Sequence, residues 1–224
     1  MLLPTPDGRW LDSASPEWRN GNWFDPSLPD PTAFWAEHLD GPPAWVILGG
    51  LGNTDEAVRA RERWPGVTLL GADPDAQAIA WQLAHGWPAE RAYLVQKALA
   101  DRAGTASMHL DSIGHSSLHP ENLALDGATI QVHTTTLDRL DVESVGPFTD
   151  AVLSLDCEGL DYLAILGGER LLQSGRVRLL DYEVWYRRPC EWRFVQTLLS
   201  AWGFRQVRTW CRQWWGHNEV WLKN

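Results

Sequence analysis

The sequence predicts an α/β fold with a mostly parallel sheet that ends in an antiparallel pair of strands. Between residues 44 and 99, short apolar runs alternate with segments of helical spacing. A glycine-rich loop follows the first run, and the last two apolar segments are separated by only a short turn. Alternating strands and helices imply parallel strands with right-handed crossovers, whereas a short turn joins antiparallel strands.

Composition limits the classes of function. The chain has 224 residues, 44% of them hydrophobic, which suits one domain with a full core. Its formal net charge is −10. Binding to a phosphate backbone needs patches of Lys and Arg, so we expect no nucleic-acid partner. No stretch approaches the roughly 20 apolar residues that span a membrane, so we expect no membrane partner.

The N-terminus and the cysteines indicate a cytoplasmic protein. The segment MLLPTPDGRW has neither the basic region nor the long apolar region of a secretory signal. Cys157, Cys190 and Cys211 are few, odd in number and far apart, which fits a reducing compartment. No CxxC pair occurs, so a zinc knuckle is not expected.

Residues 1–43 are predicted to form a Trp- and Pro-rich extension or cap, and residues 44–224 form the α/β domain. The chain has 15 Trp residues, which favour an aromatic-lined cleft or a cap packed on the core. A lineage bias toward Trp, or a plain extension, would give the same composition. PTAFWAEHL predicts a short helix with Asp30 as its N-cap and Pro31 at its first position. Exposed Trp side chains would also favour a homodimer.

The first five elements form a strand–helix–strand–helix–strand series. Ala44 to Leu48 is a strand, followed by a helix from about Thr54 to Trp64. VTLLGAD is a second strand that ends in an acid. DAQAIAWQLAHG is the second helix, with Gly86 as its C′ glycine, and AYLVQKAL is the third strand.

The second half of the chain contains a long loop, SIGHSSLHPENLALDGA, and long loops in compact domains are often functional. The other predicted elements are, in chain order, an edge strand at SMHLD, a strand running into a turn at IQVHTTTLDRL, a buried strand at DAVLSLD, a helix at GLDYLAILGGERLLQ, a strand at RVRLLDYEV, a helix at WRFVQTLLSAWGF closed by Gly203, and the terminal antiparallel pair RQVRTWC and NEVWLK around a WWGH turn.

Three features fall at the carboxyl ends of the strands, where open parallel sheets bind ligands. The first is the loop Gly49-Gly50-Leu51-Gly52-Asn53, whose glycines let the backbone approach a ligand closely. The second is Asp73, at the roughly 20-residue separation from which an acid reaches ribose hydroxyls. The third is the pair Asp156 and Glu158 after the fourth main strand. Together they predict a nucleoside site, although an acid at a strand end also caps helices, and Asp75 offers that cap too.

A dinucleotide is the main rival ligand for this site. Its pyrophosphate needs the N-terminus of a helix, and the helix after the loop begins with Thr54-Asp55-Glu56. Two carboxylates there would repel a pyrophosphate but not a sulfonium cofactor with a cationic amino-acid tail. This electrostatic argument favours S-adenosylmethionine. The terminal antiparallel pair is also a feature of methyltransferase sheets rather than dehydrogenase sheets.

Several segments resemble the FkbM-type methyltransferase family over about residues 45 to 222. They are LLGADPDAQAI, LVQKALADRAGTASMHL, TTTLDRL, LSLDCEGLDYLAILGGERLL and LLSAWGF. The most specific parts are Asp73-Pro74 and Asp156-Cys157-Glu158-Gly159. The resemblance implies a Rossmann-like class I methyltransferase sheet with S-adenosyl-L-methionine as its cofactor. The implied cofactor-binding residues are Gly49, Gly50, Gly52, Asn53, Asp73, Pro74, Lys97, Ala98 and Asp156.

The first strand departs from the family pattern. The family usually has an acid at the end of this strand and an Asn inside the glycine loop. Here Ile47 and Leu48 stand at the first place, and Asn53 falls slightly late. Another residue could therefore hold the amino group of the cofactor.

Methyl transfer to a hydroxyl requires alignment of the acceptor and removal of a proton. Asp156 and Glu158 are the best-placed carboxylates: one as general base, the other as partner of the cofactor amino group or the acceptor hydroxyl. Glu158 could instead cap a helix starting at Gly159, where the helix dipole favours a carboxylate. His115 is the third catalytic candidate because histidine titrates near neutral pH, although most loop histidines are solvated.

Other polar residues leave their roles open. His115 and His119 form an HxxxH pair that could hold a metal on a helix, but the segment is predicted as a loop, so no metal is expected. Glu183 could orient an acceptor hydroxyl or be structural, and the same choice holds for His217.

The predicted function is an S-adenosylmethionine-dependent methyltransferase that methylates oxygen on a small hydroxyl-bearing acceptor, such as a sugar or a secondary metabolite. Two alternatives stay open. One is a non-catalytic nucleoside-binding accessory protein on the same sheet, motivated by Ile47 and Leu48. The other is a nicotinamide-dependent oxidoreductase. Neither the acceptor atom nor the general base follows from the residues alone.

Overall fold

The computed structural model describes residues 2–4, 10–12, 30–52, 54–110, 116–118, 128–143, 147–186, 188–210 and 216–224. The helices are α1 (Pro31–His38), α2 (Glu56–Arg63), α3 (Ala76–Ala84), α4 (Leu137–Glu143), α5 (Asp161–Leu166), α6 (Glu169–Gln173) and α7 (Pro189–Ala201). The strands are β1 (Leu2–Pro4), β2 (Trp10–Asp12), β3 (Trp45–Gly49), β4 (Thr68–Ala72), β5 (Ala92–Val95), β6 (Ala98–Leu99), β7 (Gly104–His109), β8 (Thr129–Thr135), β9 (Ala151–Leu155), β10 (Val177–Trp185), β11 (Phe204–Trp210) and β12 (Gly216–Lys223).

Seven strands form the central sheet, in the order β11-β12-β10-β9-β3-β4-β5. Strands β3, β4, β5, β9 and β10 run parallel, and β12 is antiparallel to both of its neighbours. The predicted fold class, a mostly parallel sheet with a C-terminal antiparallel pair, is confirmed. The chain leaves β3 toward β4 on one side and later returns to β9 on the other side. Such a switch point opens a crevice at the carboxyl ends of the strands.

Each face of the central sheet buries its own set of apolar side chains. One face carries Ile47 and Leu153, packed with residues of α5, α6 and α7. The other face carries Val46 and Leu48, packed with residues of α1 and α2. Successive residues of a strand divide between the faces because their side chains alternate. Strands β4 and β9 are buried at every position, which explains their continuous apolar runs.

Helix α1 lies within the segment predicted as an extension or cap. Asp30 accepts a hydrogen bond from Thr32 N at 2.9 Å and Pro31 opens the helix, as predicted. Trp35 on this helix is fully buried in the core of the sheet. The helix therefore belongs to the packing of the α/β domain, and the boundary at residue 43 stays a prediction. Strands β1 and β2 pair antiparallel with each other.

The predicted third strand, AYLVQKAL, divides into two strands of different sheets. Strand β5 ends at Val95, and Lys97 N donates to Val95 O at 2.9 Å, so a tight turn separates the halves. Strand β6 pairs parallel with β8, which pairs antiparallel with β7. The expected edge strand at SMHLD is thus β7, at the edge of this second, three-stranded sheet.

The single helix predicted for GLDYLAILGGERLLQ is two short helices, α5 and α6. Gly167 and Gly168 lie between them, and a Cβ on Gly167 would stand 2.0 Å from the carbonyl oxygen of Ala100. This close backbone approach requires glycine, and two adjacent glycines weaken a helix. A second difference follows β8, where the sequence predicts only a turn and the chain forms α4. Thr136 Oγ1 accepts from Arg139 N at 3.0 Å at its start.

The other helix ends follow the sequence signals. Gly86 and Gly203 come after α3 and α7 with φ values of 105° and 85°, a backbone region in which glycine is favoured. In the described ranges of the chain, no helix is both long enough and apolar enough to cross a bilayer.

Candidate functional site

A cleft opens at the carboxyl ends of β3, β4 and β9, at the switch point of the sheet. The space between its walls is about 740 Å³, including the open solvent at its mouth. The glycine loop after β3, the turn after β4 and the turn after β9 form three of its walls. Ala98, Met108 and residues 116–118, on the side of the second sheet, complete it.

The glycines of the loop have three different roles. Gly49 packs tightly, since a Cβ there would stand 2.5 Å from Leu99 Cδ1. Gly50 has a φ of 77°, and its Cβ would lie 1.8 Å from the carbonyl oxygen of Asp156, so the loop and the end of β9 touch backbone to backbone. Gly52 has a φ of 42° and open space around its Cβ position. The first two glycines shape the cleft, and all but Gly49 line it.

Asp73 lies where the sequence predicts a ribose-binding acid, at the end of β4 and in the wall of the cleft. Its Oδ2 accepts from Leu51 N at 2.7 Å and Gly52 N at 3.3 Å, and its Oδ1 accepts from Asp75 N at 2.8 Å. Burial raises the pKa of this carboxyl, although the three backbone N–H groups oppose the shift. Asp73 therefore fixes the glycine loop. Each of its oxygens has two lone pairs, and the three N–H groups use both on Oδ2 and one on Oδ1, so Oδ1 keeps one lone pair for a ribose hydroxyl.

The residue that caps the helix after β4 is Asp75 rather than Asp73. Asp75 Oδ1 accepts from Gln77 N at 2.8 Å and caps α3. Asp73 is therefore not the cap of the helix. Pro74, the other half of the specific Asp-Pro pair, lines the cleft beside it.

Asp156 and Glu158 both line the cleft at the end of β9. Asp156 is exposed, and its N–H donates to Gly49 O at 2.8 Å. Glu158 has a φ of 53°, a left-handed conformation that is uncommon for a residue other than glycine. Helix α5 begins at Asp161 rather than at Gly159, so the alternative in which Glu158 caps a helix from Gly159 is wrong.

Asp161 is a site residue that the sequence analysis missed. It is 2% exposed, and it accepts from Cys157 N at 3.3 Å and from Glu183 N at 3.4 Å. Burial, and then the charge of Asp156, raise its pKa to about 7. Asp161 thus holds the turn after β9 against β10. The spacing of four residues between Cys157 and Asp161 at a helix start was the available signal.

The sequence predicts a negative charge on Glu56 at the start of α2, but the structure favours the neutral form of this side chain. Its carboxyl accepts from Ser154 Oγ at 3.4 Å. Burial, followed by the charges of Asp181 and Asp156, raises its pKa to about 8, so the group is mostly protonated at pH 7. Asp55 is paired with Arg59 at 2.8 Å. The helix start is therefore not doubly negative, and the argument against a pyrophosphate is wrong as stated because tertiary burial neutralises one acid.

Asp181 on β10 is a second buried acid that was missed. It is 1% exposed and accepts from Trp35 Nε1 at 2.8 Å and Trp210 Nε1 at 3.2 Å. Burial raises its pKa to about 7, against the lowering effect of the two indoles. It lies beside Ser154 in the register of β9 and β10. Trp35 thereby ties α1 to the functional end of the sheet.

The remaining predicted residues divide between the cleft and other places. Ala98 lines the cleft, while Lys97 lies in the turn between β5 and β6 and is not among its lining residues. Asn53, His115 and His119 lie outside the described residues. In the ranges that are described, no group of three His, Cys, Asp or Glu side chains is arranged to hold a metal ion.

His217 and Glu183 lie on the antiparallel side of the sheet. His217 Nε2 contacts Glu219 Oε1 at 3.1 Å. Burial would raise the pKa of Glu219, but hydrogen bonds from His217, Trp221 and Tyr182 hold it below its usual value. This network favours a structural role for His217. The Glu183 carboxylate accepts from Trp185 Nε1 and lines a second, smaller cavity.

The second cavity lies between the end of β10 and the starts of α5 and α7. Arg188 and Trp192 line it, and Arg188 Nη1 is 3.6 Å from Glu191 Oε1. Arg188 Nε, Arg188 Nη2 and Trp192 Nε1 are buried, and none of the described residues offers them a hydrogen-bond acceptor. Buried donors without partners are costly, so this cavity is suited to a group that brings oxygen acceptors.

Comparison with known proteins agrees with this geometry. Residues 52–211, more than half of the chain, match the family model of the methyltransferase FkbM domain. The match begins inside the glycine loop, just after the strand that departs from the family pattern. No curated protein sequence matches the chain significantly.

Three solved structures are similar in fold. The METTL16 MTase domain has 12% identity, coverage of 99% of this chain and 86% of that chain, and a TM-score of 0.50. A TehB-like SAM-dependent methyltransferase from Corynebacterium glutamicum has 13% identity, coverage of 93% and 95%, and a TM-score of 0.49. An rRNA methylase from Streptococcus thermophilus has 16% identity, coverage of 85% and 92%, and a TM-score of 0.46. At these identities the similarity concerns the fold alone.

Proposed function

We propose that the methyl acceptor is a hydroxyl group of a small molecule. The premise is that this chain belongs to the FkbM methyltransferase family and uses S-adenosylmethionine. Methyltransferase activity and the cofactor follow from the family. The acceptor class and the roles of individual residues are the proposal. Neither the accessory-protein alternative nor the nicotinamide alternative agrees with the family match.

The residues of the cleft fit this cofactor. Asp73 lies against the glycine loop, and its Oδ1 has one lone pair left for a ribose hydroxyl. Leu51 and Met108 give the cleft apolar surface for an adenine ring, and Asp156 gives it negative charge on the side of β9. We assign cofactor contacts to Gly50, Gly52, Asp73, Pro74, Ala98 and Asp156, all of which line the cleft.

The position of Asp156 is the observation that carries the hydroxyl assignment. Its carboxylate is exposed at the end of β9, in the wall of the cleft. When bound, S-adenosylmethionine supplies an electrophilic methyl group. A hydroxyl oxygen that accepts this methyl loses its proton, and Asp156 is placed to take that proton as general base. Glu158, next along the turn, is the second candidate for the base.

The charge of the chain opposes an RNA acceptor. The net charge is −10, and the cleft wall carries Asp73, Asp75, Asp156 and Glu158. A nucleic-acid site needs Lys and Arg to neutralise phosphates. The fold similarity to RNA methyltransferases therefore does not extend to their acceptor.

The second cavity supports an acceptor rich in oxygen atoms. It lies beside the turn that follows β9, because Gly159 and Asp161 are part of its wall. The partnerless donors of Arg188 and Trp192 would be satisfied by hydroxyl or carbonyl oxygens of the acceptor. A polyhydroxylated small molecule supplies such groups.

The test is transfer from S-adenosylmethionine labelled with tritium in its methyl group to three pools: small hydroxyl compounds including sugars and phenols, total RNA, and protein. We expect label in the small-molecule pool. Asp156→Asn should lower transfer by about 10²–10⁴-fold, which is a larger loss than the weakening of S-adenosylhomocysteine binding expected from its cofactor contact. Label that enters RNA, or a nitrogen of the acceptor, would contradict the proposal.

A further inference from the structure

The methionine end of the cofactor lacks an acid at the expected place. The α-ammonium group of S-adenosylmethionine is a cation with three N–H donors, and a carboxylate is its natural protein partner. In β3 the positions where the resemblance predicts an acid hold Ile47 and Leu48, and both are buried in the core at 0% and 2% exposure. Neither side chain can bind an ammonium group.

The register of the sheet shows which residues surround this place. Leu48 of β3 is paired with Ser154 of β9. Side chains two residues apart in a strand share a face, so Ser154 and Leu48 lie on the face that α2 covers, and Asp156 follows Ser154 on that side. A carboxyl group beside Ser154 would therefore lie next to Leu48, one of the positions where the resemblance predicts an acid.

Glu56 brings a carboxyl group to this position from α2. Its Oε2 accepts from Ser154 Oγ at 3.4 Å. Thr54, two residues earlier, lines the cleft, and so does Asp156. Glu56 is half-buried and does not itself line the cleft, so the ammonium group would have to meet it at the cleft wall beside these two residues. The helix thus supplies the group that the strand does not.

Among the residues that the structure describes, the charged groups that act most on Glu56 are acids. Its charged neighbours are Asp181 on β10, Asp156 after β9 and Asp55 on its own helix, all of them acids. Within the described ranges, none of the ion pairs includes Glu56, whereas Asp55 has Arg59. Asp181 receives two indole N–H groups. Glu56 is therefore the acid of this group that a cationic ligand would stabilise most.

We infer that Glu56 binds the α-ammonium group of the methionine moiety of S-adenosylmethionine, in place of the acid that β3 lacks, with Asp156 on its other side. The inference rests on the cofactor of the proposed function but not on the identity of the acceptor. Glu56 is thereby a cofactor-binding residue on a helix rather than on the first strand.

The test compares two ligands that differ in this moiety. S-adenosylhomocysteine carries the amino acid, and 5′-methylthioadenosine carries the nucleoside and sulfur without it. Calorimetric titration would measure both ligands against the wild type, Glu56→Gln, and Glu62→Gln as a control for an exposed acid on the same helix. We expect Glu56→Gln to weaken S-adenosylhomocysteine by about 10- to 100-fold and to leave 5′-methylthioadenosine within about twofold.

Each result is decisive. Equal weakening of both ligands, or no weakening of either, would overturn the inference, because the first indicates a general loss of structure and the second an uninvolved side chain. Retained binding of 5′-methylthioadenosine also shows that the variant is folded. If neither ligand binds the wild type, the cofactor assignment fails instead. Glu56→Asp, which keeps an ionisable carboxyl group, should retain more affinity for S-adenosylhomocysteine than Glu56→Gln does.

Discussion

The acids on the two sides of the cleft, Asp73 and Glu56, differ in the hydrogen-bond donors that they receive. On the nucleoside side, Asp73 receives three backbone N–H groups, and these contacts hold the glycine loop without any ligand. On the methionine side, Glu56 receives one hydroxyl at 3.4 Å and stands among other acids. The first half is preorganised by the backbone, while the second, on our inference, is completed by a cationic ligand. The comparison predicts that changes in the two halves have separable effects.

The largest effect is expected where the two halves meet, at Gly50. Gly50→Ala would place a Cβ 1.8 Å from the Asp156 carbonyl oxygen at a φ of 77°. We expect a loss of stability of about 3 kcal/mol or more, from the clash and the left-handed backbone together, and loss of both ligands. Urea unfolding would measure the first effect and calorimetry the second.

Gly52→Ala is the matched control for Gly50→Ala. It also has positive φ, at 42°, but its Cβ would meet open space. The expected cost is therefore only the backbone term of about 1–2 kcal/mol. Equal destabilisation by the two substitutions would show that the contact between the loop and β9 does not hold the halves together.

The next effect separates the halves directly. Asp73→Ala removes a group that holds the loop and faces the ribose, so it should weaken S-adenosylhomocysteine and 5′-methylthioadenosine alike, each by about 1–3 kcal/mol. This parallel loss is the opposite of the selective loss expected for Glu56→Gln. Calorimetric titration of both ligands checks it, and a selective loss of S-adenosylhomocysteine on Asp73→Ala would break the comparison.

The smallest effect is the pH dependence of the ligand-free protein. The pKa of Glu56 rises from 4.5 to about 8 on folding, so the folded state holds a proton that the unfolded state releases between these values. Stability from this group therefore falls as pH rises from about 5 to 8. Glu56→Gln removes this dependence on pH. The free energy of unfolding of the variant, relative to that of the wild type, should therefore rise by about 1–3 kcal/mol between pH 5 and 8.

Urea unfolding at pH 5, 6, 7 and 8 would measure this difference. Asp161, with a pKa of about 7, acts in the same direction in both proteins. The charge of Asp181 raises the pKa of Glu56, so these two acids titrate as a coupled pair and the difference between the proteins reports the pair. A constant difference between wild type and Glu56→Gln across the four pH values would show that Glu56 does not titrate as its burial implies.

Much of the fold was predictable because its signals are local. The apolar runs at β3, β4 and β9, the cap at Asp30 and the glycine after α3 each follow from a few neighbouring residues. The turn at Lys97 and the break at Gly167 were not predictable in this way. Each depends on a partner distant in sequence, namely β8 for the strand that follows Lys97 and Ala100 for Gly167.

The candidate site was predictable in part. The structure brings most of the predicted residues together at the cleft: Gly50, Gly52, Asp73, Pro74, Ala98, Asp156 and Glu158. Gly49 is not a lining residue and packs against Leu99. Lys97 lies elsewhere, and the acids Asp161 and Asp181 were missed. The spacing from Cys157 pointed to one contact of Asp161. The contacts of Asp161 with Glu183 N and of Asp181 with Trp35 come from distant elements, which no spacing in the sequence reveals. The predicted homodimer and cytoplasmic location stay predictions.

The sequence by itself determined the order of strands and helices, the parallel sheet with its antiparallel end, the family and hence the cofactor. These follow from periodicity and from short motifs, which need only nearby residues. The tertiary structure decided the charge state and the partners of the acids. The sequence predicts that Glu56 is a negative charge at a helix start, but the fold buries it beside Ser154, Asp156 and Asp181. Burial and neighbouring charge set a pKa, and both are properties of three-dimensional packing.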